Sequence, residues 1–127
     1  MQALYQWQLN KQPWQDLHTQ FSTSEEAALA DLEYFRELIH QTVENFDTLN
    51  QGLQPFADRV LEGIDPIEHA ILVLGYYELK SRIDVPYRVA LNEAVELARK
   101  FGATDGHKFV NAVLDRAAGE LRAVERG

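Results

Sequence analysis

The stretch whose reading decides the fold runs from Asp65 to Arg82, DPIEHAILVLGYYELKSR. Between Ile67 and Leu79 only Glu68, His69 and Glu78 interrupt a run of apolar, aromatic and glycine residues. Asp65 suits a helix N-cap, and Pro66 suits the first helical position, where its missing N–H is not needed. Glu68 follows three residues after Asp65, where its side chain can reach back to the cap N–H. These start signals, on a run too long for a buried strand, predict a helix. Ile67, Ala70, Ile71, Leu74 and Tyr77 form one stripe, and Leu72, Val73, Tyr76 and Leu79 spread around the rest. A helix apolar on most sides is central, so the other helices are expected to wrap it. The run is too short and too charged to span a membrane.

Outward from this helix the pattern stays helical. Gln2 to Leu9 reads as the middle of a helix with nothing in front to cap it, so the helix is expected to begin before the chain does. Pro13 breaks the pattern, Trp14 to Phe21 suits a short second helix, and Ser22 to Glu26 reads as a loop entering a weak helical turn. Asp31 opens a longer helix carrying Phe35, Leu38, Ile39, Val43 and Phe46 at i, i+3, i+4 spacing, with Gly52 as its expected terminator. Pro55 starts a turn or short helix that ends at Gly63. Pro86 begins a helix with Leu91, Ala94, Val95, Ala98 and Phe101 on one face, a Glu96–Lys100 pair on the other, and Gly102 at its end. Asp105 is the expected N-cap of a last helix striped by Val110, Val113, Leu114, Ala117 and Leu121. No strand alternation competes. The expected fold class is all-α: a compact bundle of six or seven helices. It forms one domain over 1–127, in two packed halves of about 1–62 and 63–127.

A chain of 127 residues is long enough for a sizeable core. With no cysteine it has no disulfide, thiolate metal site or thiol nucleophile, which is compatible with a reducing cytoplasm. A formal charge of −8 argues against nonspecific nucleic-acid binding, which depends on neutralising phosphates. A nucleic-acid site on this chain has to be a local basic or stacking patch, or one completed by a partner.

The last helix holds such a patch. Phe109 sits about a quarter turn off the apolar stripe, in the first turn, beside His107 and Lys108. There an aromatic ring can stack a base, a lysine can meet phosphate, and Asp105 can accept from a base amino group. The alternative is that Phe109 packs on the core edge and Asp105 merely caps. Glu37-Leu38-Ile39-His40 has the Glu-x-x-His spacing of di-iron bundles, but no second copy exists, and His18, His69 and His107 have no ligand-spaced partners. No metal, cofactor or catalytic motif is expected. Tyr5 and Glu68 are open between partner contacts and structural roles, as an amphipathic core tyrosine and a capping glutamate.

Four stretches are similar to the NusB family of transcription antitermination factors: QALYQWQL (Gln2–Leu9), YFRELI (Tyr34–Ile39), YYELKSRIDVPYRVALNEAVELARKFG (Tyr76–Gly102) and HKFVNAVLD (His107–Asp115). The joined pattern from Glu78 to Asp115 is the specific part, with Arg99 in place of the usual lysine. The resemblance implies an all-helical, noncatalytic factor of the cytoplasm. Such a factor binds the ribosomal protein NusE, and with it the boxA element of nascent RNA, in the transcription elongation complex that reads ribosomal RNA operons. By position it implies RNA binding by Asp105, His107, Lys108 and Phe109, and places Tyr5 and Glu68 near the NusE and RNA surface.

The family pattern normally carries an arginine-rich segment before the first helix, whereas this sequence opens at Met1-Gln2-Ala3 inside the helical pattern. Weaker RNA affinity and weaker salt dependence are therefore expected. Two alternatives follow: a protein-only adaptor that binds NusE, or a domain related to that heading certain ribosomal RNA cytosine methyltransferases. A homodimer that hides the RNA face is a further state that the resemblance leaves open.

Overall fold

The structure, a computed structural model, describes residues 2–21 and 32–126. The helices are α1 (Gln2–Asn10), α2 (Trp14–Phe21), α3 (Leu32–Glu44), α4 (Phe46–Leu53), α5 (Pro66–Ser81), α6 (Tyr87–Phe101), α7 (Gly106–Leu121) and α8 (Ala123–Arg126). Two 3-10 turns, Gln54–Phe56 and Leu61–Gly63, join α4 to α5. The fold is all-α. The loop expected at Ser22–Glu26 and the helix start expected at Asp31 lie outside the described residues.

Helix α5 is central. Asp65 Oδ1 accepts from the Ile67 N–H at 2.7 Å, and Pro66 takes the first helical position. An unbroken run from Glu68 to Val73 and again from Gly75 to Leu79 is buried. Helices α1, α3, α4, α6 and α7 all pack on it. Two clusters result. In one, α5, α6 and α7 pack on one another around Ile71, Leu72, Leu79, Val110, Val113 and Leu114. In the other, α1, α2 and α3 enclose a smaller core of Ala3, Leu17 and Ile39.

Eight described helices exceed the six or seven expected, chiefly because the long helix breaks at Asn45. Two side chains turn back on the backbone before the break: the Thr42 hydroxyl bonds the Leu38 carbonyl, and Asn45 Nδ2 donates to the Gln41 carbonyl at 2.9 Å. Such back-bonding competes with the helical ladder and bends it. Gly52 is not the terminator. It lies inside α4 against the Tyr76 ring, where an added Cβ would stand 3.0 Å from Tyr76 Cζ. The expected Glu96–Lys100 pair is replaced by Glu96–Arg99, at 2.9 Å.

A polar seam joins α3 to α5. The Tyr34 hydroxyl donates to Glu78 and the Tyr77 hydroxyl donates to Glu37, each at 2.6 Å. Arg82 Nη1 donates to Glu37 at 2.6 Å and the guanidinium pairs with Asp84. Glu37 of the di-iron-like spacing is thus held by Tyr77 and Arg82, while His40 stacks on Trp14 with ring centroids 4.3 Å apart. Among the described residues no group of three or more His, Asp or Glu side chains could hold a metal. No described helix is long and apolar enough to cross a membrane.

Burial raises the Glu78 carboxyl above its ordinary range, although the Tyr34 hydroxyl opposes the shift. A carboxyl raised in the folded state favours folding when protonated, and that contribution is lost as pH rises through its folded value. Glu78→Gln keeps an acceptor for Tyr34 and removes the buried charge. At pH 7 the variant is expected to melt about 2–4 °C above the parent. The gap should close as pH falls toward about 4, where the parental carboxyl is neutral too. Thermal melts of both proteins from pH 4 to 8 measure this; a variant less stable at pH 7 contradicts it.

Candidate nucleic-acid interface at the start of α7

Four of the six candidate residues, Asp105, His107, Lys108 and Phe109, meet where the chain leaves α6 and enters α7. Gly102 ends α6 in extended backbone, and a tight turn follows in which the Gly106 N–H donates to the Ala103 carbonyl at 2.9 Å. Asp105 completes the turn with φ 68°, a left-handed conformation that aspartate tolerates better than most residues. Its side chain makes no capping bond, contrary to the expected N-cap. The carboxylate instead pairs with Lys108 Nζ at 3.3 Å, both side chains being mostly exposed. Exposed pairs of this kind contribute about 0.2–1 kcal/mol, so both groups are readily exchanged for a ligand.

Glu68 supports this turn from below. It is only 7% exposed, and rather than returning to its own helix cap, its Oε2 accepts from the Ala103 N–H at 3.4 Å. A Cβ on residue 106 would lie 2.6 Å from the same oxygen, so a larger residue there would push the Glu68 carboxylate out of its place under the turn. A carboxylate beside a helix N-terminus also complements the helix dipole. Glu68 thus belongs structurally with Asp105 and Lys108, 35 or more residues along the chain.

Phe109 is half-buried and packs against the main core. The edge-of-core reading therefore holds for one side of the ring. Over its face lies Arg59, with the guanidinium carbon 4.3 Å from the ring centroid. Cation–π contacts at exposed sites contribute about 0.5–1 kcal/mol. Arg59 comes from the segment between the two 3-10 turns, which Arg116 of α7 anchors by donating to the Phe56 carbonyl at 2.9 Å. His107 and Lys108 turn toward a shallow groove of about 430 Å³ between α6 and α7, where Arg99 and Asn111 also line the wall. Tyr5 sits apart on α1, half-buried against the main core; α1 shares α5 with Glu68 as a neighbour.

The NusB family model matches residues 1–119. The chain belongs to the NusB family. A relative from Idiomarina loihiensis, named transcription antitermination protein NusB, is 47% identical over 122 residues, covering 96% of this chain and 88% of the relative. One of the same name from Stenotrophomonas maltophilia is 48% identical over 127 residues, covering all of this chain and 80% of the relative. A solved structure of T. maritima NusB superposes with a TM-score of 0.80 at 27% identity, covering 94% of this chain and 84% of that one.

Sequence patterning in this family member marks α7 but not what surrounds it. Arg59, Arg116 and the reach of Glu68 to Ala103 are long-range placements, with no periodicity to announce them. The one local signal was Gly106, a glycine in the first helical position, where a better helix former ordinarily stands.

Proposed function

We propose that this chain is a transcription antitermination factor that binds boxA RNA together with the ribosomal protein NusE, supporting transcription of ribosomal RNA operons. The observation that carries the reading is the gathering of Phe109, Asp105 and Lys108 at one helix start in a chain of this family. Each supplies one element of single-strand recognition. The Phe109 ring stacks a base, the Asp105 carboxylate accepts from a base amino group, and the Lys108 ammonium meets a phosphate. His107 extends the polar contact into the groove. Glu68, being buried, acts by holding the turn in place, while Tyr5 presents the partner-facing side of α1. With a chain charge of −8, RNA affinity depends on NusE completing the basic surface.

The test titrates labelled boxA RNA and a scrambled RNA of equal length into the chain, with and without NusE. With NusE, boxA should bind at least about tenfold more tightly than the scrambled RNA, the discrimination of about one specific base contact. Equal binding of the two RNAs with NusE bound would leave a protein-only adaptor.

A further inference from the structure

The outer face of Phe109 is already occupied. The Arg59 guanidinium carbon stands 4.3 Å from the ring centroid, whereas bases stack about 3.4 Å apart. A base between ring and guanidinium needs about twice that spacing, so a base and Arg59 compete for one face. The backbone of Arg59 is fixed: Gln54 Nε2 donates to its carbonyl at 2.9 Å, and Gln54 Oε1 accepts from the Leu61 N–H at 3.1 Å. The side chain is held more weakly. Its ion pair with Asp58 is 3.4 Å long, and the two side chains are 58% and 65% exposed. A fixed pivot carrying a long, exposed guanidinium is a side chain that swings while its loop stays.

We propose that Arg59 is an RNA-binding residue that covers the base position on Phe109 in the free protein and moves onto a flanking phosphodiester when a base stacks. This rests on the reading of Phe109 as a stacking platform. The guanidinium suits both positions. It is planar and lies well on an aromatic face, and its forked N–H groups match phosphate oxygens. Leaving the ring costs Arg59 one weak contact and gives it a charge-assisted one. It also brings a cation to the edge of the stacking platform in a chain of net charge −8.

One phosphate contact has a measurable signature. For single strands each contributes about 0.7 to the slope of log affinity against log salt, or about fivefold in affinity between 1 M and 0.1 M salt. The full chain with NusE is titrated with single-stranded boxA RNA from about 50 to about 400 mM salt, as the parent, Arg59→Ala, Arg59→Lys and Phe109→Ala. Arg59→Ala should bind about fivefold more weakly at 0.1 M salt, with a slope shallower by about 0.7. Arg59→Lys, which keeps the charge, should retain the parental slope. Arg59→Ala that binds as well as the parent or better, with an unchanged slope, overturns the proposal and makes Arg59 a cover only. A weakened Phe109→Ala beside an unaffected Arg59→Ala overturns this inference alone. Phe109→Ala that binds boxA like the parent overturns the stacking reading and the inference with it.

Discussion

Arg122→Ala should lower the stability of the chain by about 3–5 kcal/mol, from backbone carbonyls left without their buried donor. The Arg122 side chain is only 4% exposed. Its Nε donates to the Leu79 carbonyl at 2.8 Å and its Nη2 to the Glu78 and Arg82 carbonyls at 3.1 and 2.9 Å. Its Nη1 donates to the Val85 carbonyl at 2.9 Å and to Glu125 at 2.5 Å. The last carbonyls of a helix have no partner within it. At the end of α5 and in the turn after it, one guanidinium supplies a donor to the Leu79 and Val85 carbonyls and a second donor to those of Glu78 and Arg82, which also accept from the Arg82 and Val85 N–H groups. It also sets a positive charge against the negative pole of the helix. Glu125 extends the node by accepting from the Tyr87 N–H at 2.8 Å, at the start of α6. Alanine takes the donor from the Leu79 and Val85 carbonyls, while those of Glu78 and Arg82 keep their backbone N–H partners. Each stranded carbonyl costs about 1–3 kcal/mol where water does not replace the donor. A loss of this size should appear as a fall in melting temperature of about 10–20 °C. Arg122→Lys, with one ammonium for a five-donor fork, should fall between variant and parent. A variant melting within about 2 °C of the parent would show that water satisfies the end of α5 unaided.

How far the sequence foretold this depends on the range of each interaction. Helix α5 was legible because its signals are local: a cap, a proline and a run of side chains apolar on most sides. The faces of α6 and α7 were legible for the same reason. The break at Asn45 was missed because hydrophobic spacing runs through it unchanged, from Ile39 and Val43 to Phe46, while the cause lies in hydroxyl and amide groups that periodicity ignores. Arg122 was invisible as a cap. It lies 37 to 44 residues from the carbonyls it serves, at the end of a helix whose sequence announces only its apolar stripe.

The candidate interface divides in the same way. Phe109 stood out because it departs from the stripe of its own helix, and Lys108 and His107 came with it. Asp105 stands at the start of α7 as expected, but its side chain does not cap the helix. A left-handed φ points its carboxylate toward Lys108, and residue type alone does not reveal that conformation. Glu68 was read through the nearest local motif, the capping box. Tertiary packing offered its carboxylate the turn at Ala103 and the start of α7 instead. For Glu68 the local motif lost to a partner distant in sequence, whereas Asp105 kept a partner in its own helix, Lys108, through an ion pair in place of a cap.

Phe109→Ala should weaken binding of boxA RNA by about 5- to 150-fold, from a stacking contribution of about 1–3 kcal/mol per base. Because Phe109 also packs on the core edge, alanine alone confounds a lost platform with a loosened helix start. Phe109→Leu separates them. Leucine keeps most of the apolar contact with the core and has no π-face, so its melting temperature should stay near the parent's while its affinity falls almost as far as alanine's. Phe109→Tyr keeps a face and should bind nearly as the parent. The loss should be similar for boxA and scrambled RNA, because every base has a face to stack. Discrimination should instead fall with Asp105→Ala, which removes a hydrogen-bond acceptor aimed at base edges. A leucine variant that binds boxA as tightly as the parent would assign Phe109 to the core alone and leave recognition to the charged residues around it.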